Sequence, residues 1–378
     1  MKRYNSIIVI IVLVLSAFFA WHKFYYTQKP FVIGYIGSIS GKFSDMGKTC
    51  RDGALLAVEE INNRGGINGR KIKLEIKDDN SSPTMSLEMA KILASEGIKN
   101  IVGPFTSASA ANILSYINSE EILTVGPVIA GDMMAEKDDY FIKMYPSTER
   151  FGTELGKLAA KDKKLKKLVT IIDENNKAYC EPIVEAFKKE VIFLGGKIVK
   201  KAGFNSSGDI SYSNMIDKVL EKNPDGLLIV ASPLHTAMTV QQLRIKGSSI
   251  QCFSSSWAAN EDLISSGGRA VEGLLLYVPF DSNSQTQKYK QFASNYHNRF
   301  SSPPSFCSTF NYESIYLLAQ ALAKTNSQEP KDLLRSIIAG SPYEGLQAPF
   351  SIDANGDAHH KFILQTISNG KFTRVKSR

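Results

Sequence analysis

Three hydroxyls stand almost side by side in "GPFTSASAANILSY", Gly103 to Tyr116: Thr106, Ser107 and Ser109, directly after the short apolar run Ile101-Val102 and directly before a helical apolar pattern. A serine or threonine at a helix start caps free N–H groups, and that role accounts for one of them. Three hydroxyls, unpaired N–H groups and the positive end of a helix together form a site for a small anion such as a carboxylate. A second set of residues offers an apolar wall. Trp257 in "FSSSWAAN" reads either as a partly buried core aromatic or as a flat surface for a ligand, with Tyr179, Phe43 and Phe105 to complete the lining. Phe105 lies so close to its strand that it reads as core.

This is chemistry of recognition, and the motifs of turnover are missing. The five histidines, one of them His22 in the leader, form no H-E-x-x-H; no G-x-S-x-G, Walker A or G-x-G-x-x-G occurs, and Gly34, Gly37 and Gly41 are spaced too irregularly for a dinucleotide fingerprint. His359 and His360 are neighbours in "DANGDAHHKF", and neighbours on a strand face opposite ways, which argues against a shared metal. "DANGD" lacks the remaining ligands of a calcium loop. The reading is therefore a non-enzyme with no cofactor and no metal.

The elements that must position these residues alternate regularly. Phe31 to Ile36 reads as a buried strand, and Ala54, Val58 and Ile61 fall on one helix face that ends at Arg64-Gly65-Gly66. Ile72, Leu74 and Ile76 alternate as a strand, and Pro83 opens a helix closed by Gly97. Further strand-like runs are 98–102, 122–125, 168–172, 197–201, 227–230 and 250–253, mostly separated by helix-length amphipathic stretches. Such succession predicts an α/β protein with parallel sheets covered by helices on both faces. The strands exceed one comfortable sheet, so two lobes are expected, with ligand between the carboxyl ends of their strands.

Composition agrees with an ordinary folded chain of 378 residues, 43% hydrophobic. The formal charge of +8 falls by the four basic residues of the first thirty, Lys2, Arg3, Lys23 and Lys29, to a mild +4, too little to indicate nucleic acid. The basic run Lys161 to Lys167 reads as solvated surface. Lys2 and Arg3 precede the uncharged stretch Ile7 to Ala20, an export signal that takes the chain out of the cytoplasm. Two readings of residues 1–30 stay open. Cleavage after Ala20 meets the bulky Phe18 where a small residue is wanted; alternatively Trp21, Phe24, Tyr25 and Tyr26 form an interfacial belt and the segment is an uncleaved anchor in the inner membrane. The four cysteines, Cys50, Cys180, Cys252 and Cys307, are scattered, and the sequence does not pair them.

From Phe31 to about Phe372 the chain resembles the type I periplasmic binding proteins, specifically the leucine/isoleucine/valine-binding family that serves ABC transporters. The resemblance rests on "IGYIGSISGKFSDMGKTCRDGALLAVEEINNRGGINGRKIKLEIKDDNSSP" (Ile33 to Pro83), the strand-end serine of "GPFTSASA", "NKAYCEP" (Asn176 to Pro182) and "YESIYLLAQAL" (Tyr312 to Leu322). It implies two lobes joined by three crossovers, placed near Pro146, Pro279 and Gly345, so that the N-terminal lobe takes 31–146 plus 280–345 and the C-terminal lobe 147–279 plus 346–378. It also implies capture of a small amino acid or other carboxylate for ABC permease subunits. A membrane-tethered sensor of the same fold, reporting to a signalling partner, is the alternative. Carried over by position, Ser107 is the serine that binds the ligand's carboxylate and Ser109 starts the helix. Thr106, Ser232 and Phe43 join the candidate ligand-binding set.

The chain departs from the family at several of these positions. Ala130 in "GPVIAGD" stands where the family has a hydroxyl-bearing threonine, Ser256 where amino-acid binders have an acid for the α-ammonium, and Met46 where the glycine loop carries a tyrosine, while Tyr179 is retained. An ammonium buried without a counter-charge costs several kcal/mol. The residues therefore favour a small carboxylate lacking an α-amino group.

Overall fold

The computed structural model describes residues 11, 13–18, 29–41, 43–131, 134–135, 137–206 and 208–375. Most of the signal or anchor segment lies outside them. Among the described residues no helix is long and apolar enough to cross a membrane.

One sheet has the order β2-β1-β3-β4-β5, from β1 (Phe31–Gly37), β2 (Ile72–Asp78), β3 (Asn100–Val102), β4 (Leu123–Gly126) and β5 (Phe141–Lys143), all parallel. The second contains β6 (Lys167–Asp173), β7 (Lys197–Phe204), β8 (Gly226–Val230), β9 (Gln251–Ser254) and β10 (Leu275–Val278) in the parallel order β7-β6-β8-β9-β10. The two lobes thus repeat one strand order. Their central strands are apolar along their whole length because helices cover both faces: Phe31, Ile33, Tyr35 and Ile36 of β1, and all five residues of β8, are buried.

A small sheet of β11 (Tyr343–Glu344), β12 (Pro349–Ile352) and β13 (Ala358–His359) follows, and β14 (Ile363–Ser368) and β15 (Lys371–Arg374) extend the second sheet antiparallel beyond β10. This moves the third crossover. The chain was expected to change lobes near Gly345, but Lys143 N donates to Gly356 O at 2.9 Å and Lys143 bridges Asp357, tying this segment to β5. The change of sheet falls between His359 and Ile363. In the turn of the β12–β13 hairpin Asp353 accepts the amides of Asn355 and Asp357.

Helix α1 (Ser44–Asn63) buries Ala54, Val58 and Ile61, as their spacing requires, and Ser82 caps α2 (Pro83–Ser95). Helix α3 (Ser107–Ser119) follows β3; α4 (Thr148–Lys157), α5 (Lys177–Phe193), α6 (Tyr212–Leu220), α7 (Pro233–Ile245) and α8 (Glu261–Gly267) belong to the second lobe. Helices α9 (Gln287–Phe300), α10 (Phe306–Thr325) and α11 (Pro330–Ala339) return to the first. There Cys307 of α10 forms a disulfide with Cys50 of α1, their Cα atoms 4.8 Å apart. Cys180 and Cys252 are buried free thiols.

Candidate functional site

The carboxyl ends of β5 and β9 meet through Tyr145 and Ser256, and the candidate residues sit on the loops and first helical turns beyond the strand ends. At β3 the turn depends on Gly103, whose φ of +109° suits glycine and whose position against the Ile36 carbonyl leaves no room for a Cβ. Helix α3 then starts at Ser107, two residues before the expected Ser109. Thr106 is its cap, accepting from Ser109 N at 3.1 Å and donating to Ser109 Oγ at 2.9 Å. Ser107, in the first turn, accepts from Gly131 N at 3.1 Å, which leaves its own O–H proton to donate. The first amides of α3 have no intrahelical partner, and together with this hydroxyl they form a donor set for an anion.

The glycine loop is held against this corner by two carboxylates. Asp79, buried, accepts Ser38 Oγ at 2.6 Å, Ser86 Oγ at 2.7 Å and Ser81 N at 3.0 Å. Asp78 accepts the amides of Ile39, Ser40 and Asn80; burial pushes its pKa up, and these bonds with that of the Ser40 hydroxyl outweigh it and hold the carboxyl below the ordinary range. Phe43 on this loop is exposed, and its amide donates to Ser81 Oγ at 3.0 Å.

Beyond the second sheet, Ser256 and Trp257 lie in a short 3-10 turn after β9. Tyr179 meets Trp257 edge to face, ring centroids 5.6 Å apart, and its hydroxyl lies 3.4 Å from Ser256 Oγ. Tyr145, in the first crossover, donates to the same Ser256 Oγ at 3.3 Å and packs edge-on against Phe306 and Phe310. Burial first of all raises the phenol pKa of both tyrosines, so both are neutral donors. Tyr145, Tyr179, Ser256 and Trp257 are all uncharged. Asp173, at the carboxyl end of β6, is buried and accepts Asn175 N at 3.0 Å.

The structure sorts the candidates by what surrounds them. Tyr179, Ser256 and Trp257 come together, and Ser107 stands at a helix start on the other lobe. Ala130 is almost covered, its carbonyl accepting Thr148 N at 3.2 Å, and the adjoining Gly131 supplies the amide that meets Ser107. Met46 packs with Phe105 against the Cys50–Cys307 disulfide. Ser232 caps α7 as Thr106 caps α3. Phe105 is core, as its nearness to β3 indicated. Tyr145, Gly131 and Phe306 were absent from the sequence-derived set; the signal for Tyr145 was its place beside Pro146, where the first crossover was expected.

Among the described residues no group of three or more His, Cys, Asp or Glu side chains is arranged to hold a metal. His359 pairs with Asp353 at 2.7 Å, while His360 is buried between Phe350 and Phe310.

A family model described as periplasmic binding protein matches residues 30–371. A Leu/Ile/Val-binding protein homolog from Brucella abortus is 24% identical over 323 residues, covering 84% of this chain and 85% of its own length. Two solved structures have the same fold. A branched-chain amino acid transporter substrate-binding protein from Streptococcus pneumoniae, in complex with isoleucine, has a TM-score of 0.77 at 22% identity, over 92% of this chain and all of its own. An ABC transporter solute-binding protein from R. palustris, in complex with benzoate, has 0.75 at 19%, over 92% and 95%. With two lobes of repeated strand order and a match over nearly its whole length, the chain belongs to the periplasmic binding protein family, in its type I form.

Proposed function

We propose that this protein captures a small carboxylate between its lobes, outside the cytoplasm, and delivers it to an ABC transporter permease without turning it over. The observation that carries the reading is Ser107, whose hydroxyl is fixed by Gly131 N at the start of α3 with its proton left to donate. The opposite wall supports a ligand without an α-amino group. Its Tyr179, Ser256 and Trp257 offer hydroxyls and a ring but no counter-charge. An ammonium bound there would lose its water without an anion in exchange. Since the fold holds isoleucine in one neighbour and benzoate in another, the choice rests on this chain's own residues.

A thermal-shift screen of amino acids against their deaminated or keto counterparts tests the ligand class. The carboxylates are expected to stabilise the protein and the matching amino acids are not; the opposite ranking overturns the reading. For the ligand found, Ser107→Ala is expected to weaken binding by about 1 to 3 kcal/mol, the loss of one charge-assisted hydrogen bond in a closed cleft. An unchanged dissociation constant in a folded variant removes Ser107 from the site.

A further inference from the structure

The second lobe carries a basic patch with an apolar tip at the end of its sheet opposite the site. Tyr179 of the site stands at the start of α5, past the carboxyl end of β6, whereas the patch lies at the end of α5 and the start of β6. Two segments meet there, residues 161–167 leading into β6 and residues 192–197 leading into β7. Lys197 N donates to Lys166 O at 2.8 Å, Lys167 and Lys197 are partners in the parallel ladder, and Lys166 Nζ lies 3.9 Å from where a Cβ on Gly195 would stand.

Six exposed lysines belong to this patch: Lys161, Lys163, Lys164 and Lys166 on the first segment, Lys189 near the end of α5 and Lys197 at the start of β7. Their neighbours Lys157, Lys188 and Lys201 pair with Glu154, Glu185 and Glu181, but none of the six forms an ion pair among the described residues. The nearby acids do little to offset them. Asp225 accepts the backbone amides of Lys166 and Lys167 at 2.9 and 2.8 Å, Glu190 lies against Gly156 of α4, and Asp162 is the one acid within the run.

In the sequence the run 161–167 reads as solvated surface; the structure sets it beside bare hydrocarbon. Ile192 and Phe193, the last residues of α5, are 53% and 82% exposed. Lys189 precedes Phe193 by four residues and shares its face of the helix. One exposed apolar residue is ordinary. Two in succession beside unpaired lysines make the composition of a lipid-facing surface, where the ring enters the bilayer interface and the ammonium groups stay at the headgroups. A soluble polyanion would need the lysines alone.

We propose that this pole of the second lobe docks on an anionic phospholipid bilayer, with Ile192 and Phe193 in the interface and the six lysines on lipid phosphates. The contact is independent of the carboxylate site, which lies at the other end of β6 and α5. Docking therefore leaves the cleft turned away from the lipid.

The test is acetylation footprinting of lysines in the full chain with phosphatidylcholine vesicles, pure or mixed with phosphatidylglycerol, read residue by residue by mass spectrometry. Residues 1–30 are apolar enough to bring the chain to either bilayer, so the readout is local. The six lysines are expected to react about threefold or more slowly with the mixed vesicles than with the pure ones, an effect lost in high salt. Lys290, exposed on the first lobe, should react alike with both. Ile192→Ser combined with Phe193→Ser should raise the lipid concentration for half protection about tenfold or more. Equal labelling with both vesicles overturns the proposal. So does protection that the double variant keeps in full, which would make the patch a site for a soluble polyanion, with heparin protecting the same lysines. Ser107→Ala should leave the footprint unchanged, so failure of the carboxylate reading and failure of this one are told apart.

Discussion

The hydroxyl of Tyr145 donates to Ser256 Oγ at 3.3 Å, joining the first crossover to the loop beyond β9. Tyr179 reaches the same oxygen from α5, at 3.4 Å. Ser256 therefore sits where two phenols converge and where one added charge would be met by two donors.

Ser256→Asp should convert the ligand preference. A carboxylate there accepts from Tyr145 and Tyr179 and offers the missing partner to an ammonium, so the amino acid matching the preferred carboxylate gains affinity by about tenfold or more. Calorimetry on the matched pair reads it out. A variant that folds and still rejects the amino acid places the ammonium position elsewhere.

Lobe closure should be measurable. A ligand held by groups on both lobes binds the closed arrangement better than the open one, and saturation with it should lower the radius of gyration in solution scattering. A dissociation constant near 1 µM, about −8 kcal/mol, suits a carrier that must also release its cargo. An unchanged radius with saturating ligand would count against the hinge.

Glu313 and His360 give opposite pH trends. Burial raises Glu313 from 4.5 to about 7, so the folded state keeps a proton that the unfolded state has lost, and stability falls as pH rises through this range. His360, lowered from 6.5 to about 3, contributes stability that is present above 6.5 and lost as pH falls below it. Glu313→Gln should thus be more stable than the parent at pH 8 but not at pH 4.5, by up to about 3 kcal/mol, less whatever water screens. Urea melts across that interval decide it, and a difference independent of pH would sink the assignment.

The disulfide should matter to stability rather than to binding. Cys50 and Cys307 are 257 residues apart in sequence, so the bridge restricts a long loop of the unfolded chain. Replacing both with serine should cost about 2 to 5 kcal/mol in a denaturant titration, with ligand affinity nearly kept. A loss below about 1 kcal/mol would show that the unfolded chain gains little freedom.

The eight strands read from the sequence all appear: six are inner strands whose apolar runs are nearly continuous because both faces are covered, while the edge strands β2 and β7 show alternation instead. The short β5, Phe141–Lys143, β10, Leu275–Val278, and the antiparallel strands after it were not read, since two to six residues between turn signals carry too little pattern. At the site, spacing alone does not separate a hydroxyl that caps from one that faces a ligand. Thr106 and Ser232 proved to be caps, and Ser107, one residue along, has a different partner. Tyr145 escaped notice because its partner Ser256 is 111 residues away. The Cys50–Cys307 pairing was hidden by an even longer separation.

The first lobe is split around the second, and this sets an order of completion opposite to the order of synthesis. A chain emerging N-terminus first presents α1 and β1–β5 long before α10 arrives to cover α1, whereas β6 to β10 follow one another without interruption. The inserted lobe can close its sheet while the preceding lobe is still half a shell. A nascent chain halted after Phe300 would therefore carry the five parallel strands of the second lobe, lacking only β14 and β15, beside a Cys50 thiol with no Cys307 to meet.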